Sequence, residues 1–353
     1  MKRFSRAVLL AVLTFALIAA FSFPAVSFAQ DGASGKLQEV LDRGVLNCGV
    51  NGQLPGFAAL NPDTNVMEGF DADFCRAVAA AIFGEVTDQN VNFVQLTAQE
   101  RFTAVQTGQV DVLFRNTTET FSRDTELGLD FGPTTFYDGQ GLMVRADAGV
   151  SSIDDLNGAS ICTLTGTTTE LNITEAMESR GLEYELVPFE QSSETIAAFE
   201  EGRCDVLTSD RSQLAGLRSN ASDPGSMILL EDVISKEPLG PAYLAGDSQW
   251  GDVINWTVYA TIQAEEFGIS SENVGDFLSS DNEGIQRFLG QGDAATGSLV
   301  GLDNDFVVNV ITAVGNYGEI FDRNVGPDSD LGLSRGQNAL WTDGGLMYSP
   351  PWR

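Results

Sequence analysis

The chain has 353 residues, with 50 Asp and Glu against 19 Lys and Arg, a formal net charge of −31, and no histidine. A field of that sign repels duplex nucleic acid and anionic membranes, which argues against partners of either kind. The missing histidine excludes Ser-His-Asp and Cys-His catalysis and histidine metal sites together, while 43% apolar residues over this length supply the cores of two domains.

Residues 1–29 read as a secretory signal peptide: Lys2, Arg3 and Arg6 precede an apolar run over 7–20, and Ser27-Phe28-Ala29 gives small residues for cleavage near Ala29. No cysteine sits immediately after that point and no other apolar run is long enough to span a bilayer, so neither a lipid anchor nor membrane insertion is expected. A soluble periplasmic protein is the expectation, since a secreted protein without a lipid would diffuse away from a cell with one membrane. The acidic surplus reads as a solvated surface.

Cys48, Cys75, Cys162 and Cys204 form an even set, which in an oxidising compartment suggests two disulfides with three possible pairings. Sequence proximity favours Cys48 with Cys75 and Cys162 with Cys204. The spacings match no zinc pattern, and no metal or cofactor is expected.

In chain order, 37–41 reads as a short helix and 45–50 as a strand ending in the Gly/Pro-rich segment 51–57, expected to be irregular. Leu54 and Phe57 sit past that strand's carboxyl end. Phe70, Phe74, Val78 and Ile82 recur at helical spacing and the run closes on Gly84. A second strand over 91–96, a helix over 100–106 closing at Gly108 and a third strand over 110–114 follow. Strands alternating with helices imply a parallel sheet, whose ligands sit beyond the carboxyl ends of the strands.

The stretch 110–137 organises the chain. Its strand gives way to Asn116-Thr117-Thr118-Glu119-Thr120 and then Arg123. The hydroxyls of Thr118 and Thr120 and the N–H groups of a turn entering a helix aim donors at one spot, and the Arg123 guanidinium adds a fork that fits a carboxylate. The same residues also suit an ordinary Ser/Thr-rich turn with an arginine in a surface ion pair, and residue type alone leaves both open.

The second half repeats the plan, with a short helix over 151–156, a strand over 159–164, and Thr165-Gly166-Thr167-Thr168-Thr169-Glu170 opening a helix. Thr167 and Glu170 fit a capping box, and the remaining N–H groups with the Thr168 hydroxyl could face an anion. A helix over 193–200 and a strand over 204–210 follow. Asp210 ends that strand where Asn116 ends its counterpart, so a carboxylate for an ammonium faces donors for a carboxylate. Glycine-bearing crossovers at 136–141 and 238–241 read as hinges. Helices over 250–263, 282–289 and 306–320 return to the first lobe, and the tail 331–353 carries enough apolar residues to dock. The lobes are thus expected at 36–139 with 242–353 as the return, and at 140–241.

The segments VDVLFRNTTETFSRD, GFDADFCRAVA and GRCDVLTSD resemble the solute-binding proteins of polar-amino-acid ABC uptake systems, two-lobed α/β periplasmic binding proteins of type II. CGVNGQLPGF, RNTTETFSRD, TGTTTEL and NALWTDGGLMYSPPWR resemble most the general L-amino-acid binding subgroup. The resemblance covers nearly the whole mature chain. It implies that Arg123 holds a ligand carboxylate with Thr118 and Thr168, that the Asn116 carbonyl and Asp210 take the ammonium, and that Phe57 and Leu54 pack on its aliphatic part. It also implies hinge closure over an L-amino acid and delivery to a membrane permease by a monomeric, non-enzymatic receptor. The same fold hosts enzymes such as cyclohexadienyl dehydratases, and a periplasmic sensor is another alternative. Two departures from the pattern stand out: Ala98 where narrower relatives cover the ligand with a leucine or aromatic, and Glu119 where the subgroup's turn has an aromatic.

Overall fold

The computed structural model describes residues 35–292 and 296–353, so the signal peptide expected over 1–29 lies outside the described residues. Each lobe is a five-stranded sheet. In the first, Leu46–Val50 runs parallel between Val91–Gln95 and Val112–Leu113, and Ala242–Leu244 joins antiparallel with Leu129–Phe131 on its far side. In the second, Ala159–Leu164 runs parallel between Tyr184–Phe189 and Val206–Asp210, and Gln140–Arg145 and Met227–Leu229 complete the edge. The crossovers Phe136–Asp138 and Glu237–Leu239 pair with each other as a two-stranded antiparallel ribbon.

The helix Phe70–Phe83 is buried on nearly all sides, which explains its alanine-rich sequence. It lies against the first sheet and is covered by the returning helices Ser248–Phe267 and Phe306–Val314. Phe57, Phe70, Phe74, Phe136, Tyr317 and Phe321 meet at its base, several with ring centroids 5.1–5.9 Å apart and edge-on, the arrangement that ring quadrupoles favour. The tail docks through Trp352, whose ring lies 4.9 Å from Trp256 and 5.0 Å from Phe288. Cys48 is joined to Cys75, tying the central strand to the buried helix, and Cys162 is joined to Cys204 in the second lobe. Among the described residues no helix is long and apolar enough to cross a membrane.

Three segments differ from expectation. The loop 51–57 is not wholly irregular: Gln53–Leu54 pairs with Ala58–Leu60, which pairs with Met67–Glu68, because Gly52 and Gly56 adopt φ of +83° and +81° and turn the chain back. The strand expected over 110–114 is regular only at Val112–Leu113, although Asp111 N and Phe114 N still donate to Asn47 and Gly49 carbonyls. The helix expected over 306–320 is two, Phe306–Val314 and Tyr317–Asn324, because Gly315 leaves the helical region and Asn316 caps the second with a reciprocal Glu319 bond.

Gly69 has φ +131°, and a Cβ there would sit 2.2 Å from the Phe57 carbonyl oxygen, a backbone atom that cannot swing aside. Gly69→Ala is expected to lower the melting temperature by about 10 °C or more, since strain of this kind costs several kcal/mol. Circular dichroism melts would check it; a variant melting with the wild type contradicts the close approach.

Candidate functional site

The carboxyl ends of Val112–Leu113 and Val206–Asp210 face each other across the lobe boundary. Between them lies a small cavity of about 10 Å³, roughly the room one water occupies, lined by Arg101, Arg115, Asn116, Thr118, Leu164, Thr167, Thr168, Thr169, Ser209, Asp210 and Gln213. The lobes touch at its rims, where Ser193 Oγ donates to Gln53 Oε1 at 3.2 Å and Gln99 Nε2 to Thr165 Oγ1 at 3.2 Å. This is a closed arrangement.

Local chemistry shapes each wall. Asn116 adopts φ +32°, a left-handed conformation that Asn tolerates better than most residues. Its N–H is held by Asp71 Oδ2 at 2.8 Å. Its side chain then crosses the boundary, Nδ2 donating to Gln213 Oε1 at 3.0 Å and more loosely to Asp210 Oδ2 at 3.4 Å, while its Oδ1 has no hydrogen-bond partner. On the second lobe, Thr167 caps the helix Thr168–Arg180 by accepting from Glu170 N. The Glu170 carboxylate reaches back to Gly166 N, one residue beyond the N-cap N–H that the expected box would use. The first-turn N–H groups of Thr168 and Thr169 have no intrahelical acceptor by construction, and Gln140 holds the Thr169 carbonyl from behind.

Asp210 is buried and its Oδ1 has no partner. Burial, reinforced by the nearby Asp138 and Glu237 carboxylates, pushes its pKa well above the usual range. Opposite it stand three buried arginines, none in an ion pair within 4 Å among the described residues. Arg115 Nε donates to the Leu96 carbonyl and faces Asp71, whose pKa burial pushes up to about 6. Arg123 Nη1 donates to the Thr118 carbonyl at 2.8 Å, and its guanidinium lies 5.1 Å from the Phe102 ring centroid. Arg101 lies 4.8 Å from the same centroid and its Nε has no partner.

Of the residues singled out in the sequence, Asn116, Thr118, Thr168 and Asp210 come together on the cavity wall. Arg123 sits one layer back, behind Thr118. Phe57 and Leu54 do not line the cavity: both are fully buried in the first lobe's core, Phe57 edge-on to Phe136, so their surroundings are those of packing residues. Ala98 is likewise buried away from the lining, and Glu119 points to solvent with its N–H tied to the Pro238 carbonyl. The threonine hydroxyls differ from expectation too. Thr118 and Thr168 both donate to Glu237 Oε2, at 2.5 and 2.9 Å, and a hydroxyl has one proton to give. Glu237 also accepts from Asn172 and Ser235, so this hinge carboxylate ties both lobes.

Sequence reasoning missed Arg101, Arg115, Gln213 and Glu237. A signal existed for Arg101: its neighbours at helical spacing are Thr97, Ala98, Ala104 and Val105, with no acid among them, which marks a buried face. Glu237 stood inside a segment read only as a hinge.

Two sheet lobes joined by paired crossover strands, closing on a polar cavity with an acid on one side and guanidinium groups on the other, define a two-lobed solute receptor of the type II periplasmic kind. The family described as bacterial extracellular solute-binding proteins, family 3, matches residues 46–157, and the family described as NMT1/THI5 like matches 136–248. The chain is 50% identical to the general L-amino acid-binding periplasmic protein AapJ of Rhizobium johnstonii, over 92% of this chain and 95% of that one. It is 48% identical to the glutamate/glutamine/aspartate/asparagine-binding protein BztA of Rhodobacter capsulatus, over 91% and 94%. A solved periplasmic binding protein from Brucella ovis, described with glutathione bound, superposes with a TM-score of 0.88 at 49% identity, covering 91% of this chain and all of that one. An ancestral amino-acid-binding protein described as a precursor of cyclohexadienyl dehydratase shares the fold at TM-score 0.56 and 24% identity, covering 66% of this chain and 95% of that one. The chain belongs to the family-3 bacterial extracellular solute-binding proteins.

Proposed function

We propose that this chain binds free L-amino acids in the periplasm by closure of its lobes and hands them to the permease of an ABC transporter, acting as a monomeric receptor and not as an enzyme. The observation that carries the reading is the pairing, in one closed cavity, of an acid on the second lobe with one oxygen unpartnered and buried guanidinium groups on the first. That is the charge pattern of an α-amino acid's two ends. In this reading the ammonium docks on Asp210 and Asn116. The carboxylate is held by Arg123 and by the free N–H groups opening the helix Thr168–Arg180, an anion site in its own right. Lobe one comprises 36–139 and 242–353, lobe two 140–241, and ligand contacts on both lobes shift the population towards closure. The names and periplasmic setting of the relatives support the reading, and the lack of histidine speaks against a histidine-dependent reaction on the same fold.

Calorimetry of the mature protein against a panel of L-amino acids tests this, with glutathione included because its γ-glutamyl end carries the same α-amino-acid head. Expected are dissociation constants near micromolar, about −8 kcal/mol, and a smaller radius of gyration by X-ray scattering on binding. No heat with any of the panel, or turnover of a ligand into product, rejects the reading.

A further inference from the structure

The tail of the chain reaches the first crossover strand. Asn338, 4% exposed and placed by the turn Gly336–Asn338, accepts from Tyr137 N at 2.7 Å through Oδ1 and donates Nδ2 to the Tyr137 carbonyl at 3.1 Å. One amide thus satisfies both backbone groups of Tyr137, whose cross-strand neighbour Pro238 has no N–H to give. A side chain takes the place of a third strand. Asn338 is itself fixed to the first lobe: Arg335 Nε holds its carbonyl at 3.0 Å, and the Arg335 guanidinium also donates to Glu265 and lies 5.0 Å from the ring centroids of both Tyr317 and Phe321.

On either side of Tyr137 the strand is held by a different lobe. Before it, Phe136 packs edge-on against Phe57 and Phe70, and the Tyr317 hydroxyl donates to the Thr135 carbonyl at 2.8 Å. After it, the Asp138 carboxylate accepts from Ser212 N and Oγ, and the Gly139 carbonyl from Arg211 N, all at the start of the helix Arg211–Ser219 of the second lobe. The last residue held by the first lobe and the first held by the second are therefore neighbours in sequence. In the other crossover Pro238 has φ locked near about −65°, which leaves that strand less freedom to turn.

We infer that the carboxyl-terminal tail is a working part of the hinge, with Asn338 the positioning residue that keeps Tyr137 on the first lobe and confines the rotation of this crossover to the Tyr137–Asp138 linkage. The inference rests on the receptor reading above, in which the lobes close on a ligand. A ligand-free protein without that anchor has one more residue free to turn, samples wider openings, and gives up that residue's backbone entropy each time it closes. The cost is the same for every ligand, because Asn338 is not part of the cavity wall.

Asn338→Leu, close in size and without the amide, tests this by X-ray scattering and calorimetry on the mature protein dialysed free of small molecules. Expected are a larger ligand-free radius of gyration than the wild type has and the same radius once saturated with ligand. Dissociation constants for whichever of L-glutamate, L-glutamine and L-norvaline bind rise by one common factor of about fivefold to thirtyfold, the backbone entropy of one residue. A purely structural role lowers the melting temperature and leaves the ligand-free radius and the dissociation constants at wild-type values, which overturns the inference; so does a loss that differs between ligands. If the variant fails to fold by circular dichroism, hydrogen exchange in the wild type decides: the Tyr137 amide is expected to be protected at least about a hundredfold without ligand as with it, and an amide that exchanges freely until ligand is added overturns the anchor. Should none of the three ligands bind, the receptor reading falls, while the ligand-free radius and the exchange of Tyr137 still decide the anchor.

Discussion

Arg123→Ala is expected to remove measurable binding of every amino acid the protein takes at micromolar concentration, regardless of side chain. The guanidinium is fixed before any ligand arrives: one nitrogen is spent on the Thr118 carbonyl, the plane lies near Phe102, and the group is 8% exposed. A ligand carboxylate meeting it inside a closed, water-poor cavity forms a buried ion pair, and removing one member of such a pair costs about 3–5 kcal/mol. Against a total of about −8 kcal/mol for a micromolar receptor, that moves dissociation constants by two to four decades, to between about 0.1 mM and about 10 mM. Arg123→Lys keeps the charge but loses the fork and falls between. Because the α-carboxylate is common to all amino acids, the loss must be uniform over glutamate, glutamine and norvaline. Calorimetry on Arg123→Ala and Arg123→Lys with those three ligands checks it. A loss confined to one of the ligands would move the α-carboxylate elsewhere, and wild-type heats from Arg123→Ala would remove that side chain from the site.

Arg123, legible in sequence beside Arg101 and Arg115 that were not, also shows what the chain discloses before it is folded. The alternation of strands and helices, the glycine closures at Gly84 and Gly108, the strand-end positions of Asn116 and Asp210 and both disulfide pairs are local or nearly local patterns, and each is present in the structure. Thr118 and Thr168 were legible as hydroxyls near one spot, but the destination of their protons was not. That depends on Glu237, remote from both in sequence and brought between them only when the hinge strands pair. The surroundings of Phe57 were not legible for a related reason. A residue past a strand's carboxyl end can face the cleft or fold under it, and here the Gly52 and Gly56 turns carry it into contact with Phe70 and Phe136. Secondary structure follows from neighbours in sequence, whereas the site is assembled from contacts between lobes, for which sequence spacing gives no distance.

Glu237 gives the closed form a lobe-to-lobe tie that needs no ligand. Its two oxygens collect hydroxyl and amide donors from the first lobe, the second lobe and the hinge, and the Gln53–Ser193 and Gln99–Thr165 contacts close the rims. With both hydroxyl protons committed to Glu237, the lone pairs of Thr118 and Thr168 are what those oxygens can offer elsewhere, so backbone N–H groups and guanidinium carry the carboxylate. The hinge acid thereby sets the polarity of the wall as well as the closure.

Asp210→Asn is expected to weaken amino-acid binding at least roughly tenfold at pH 7.5 while raising the melting temperature of the ligand-free protein. The two effects share one cause. Burial, with the Asp138 and Glu237 charges added, raises the Asp210 pKa well above its ordinary value, and burial likewise pushes Asp138 up to about 6. A raised pKa in the folded state means that the group's stabilising contribution is complete below the unfolded carboxylate range, near pH 4, and is lost as pH rises through the folded value. As pH rises above the unfolded carboxylate range the ligand-free wild type therefore loses stability at Asp210 that the asparagine variant keeps. A ligand ammonium binds best to the ionised form, so in the wild type binding releases a proton and affinity falls as pH drops through the free-state pKa of Asp210. The asparagine variant has a shallower slope and releases fewer protons. Calorimetry in two buffers of different ionisation enthalpy counts those protons, and melts at pH 5 and pH 8 read the stability term. Equal proton release by wild type and variant, or a variant less stable than wild type at pH 8, would contradict a buried, ligand-seeking acid at this position.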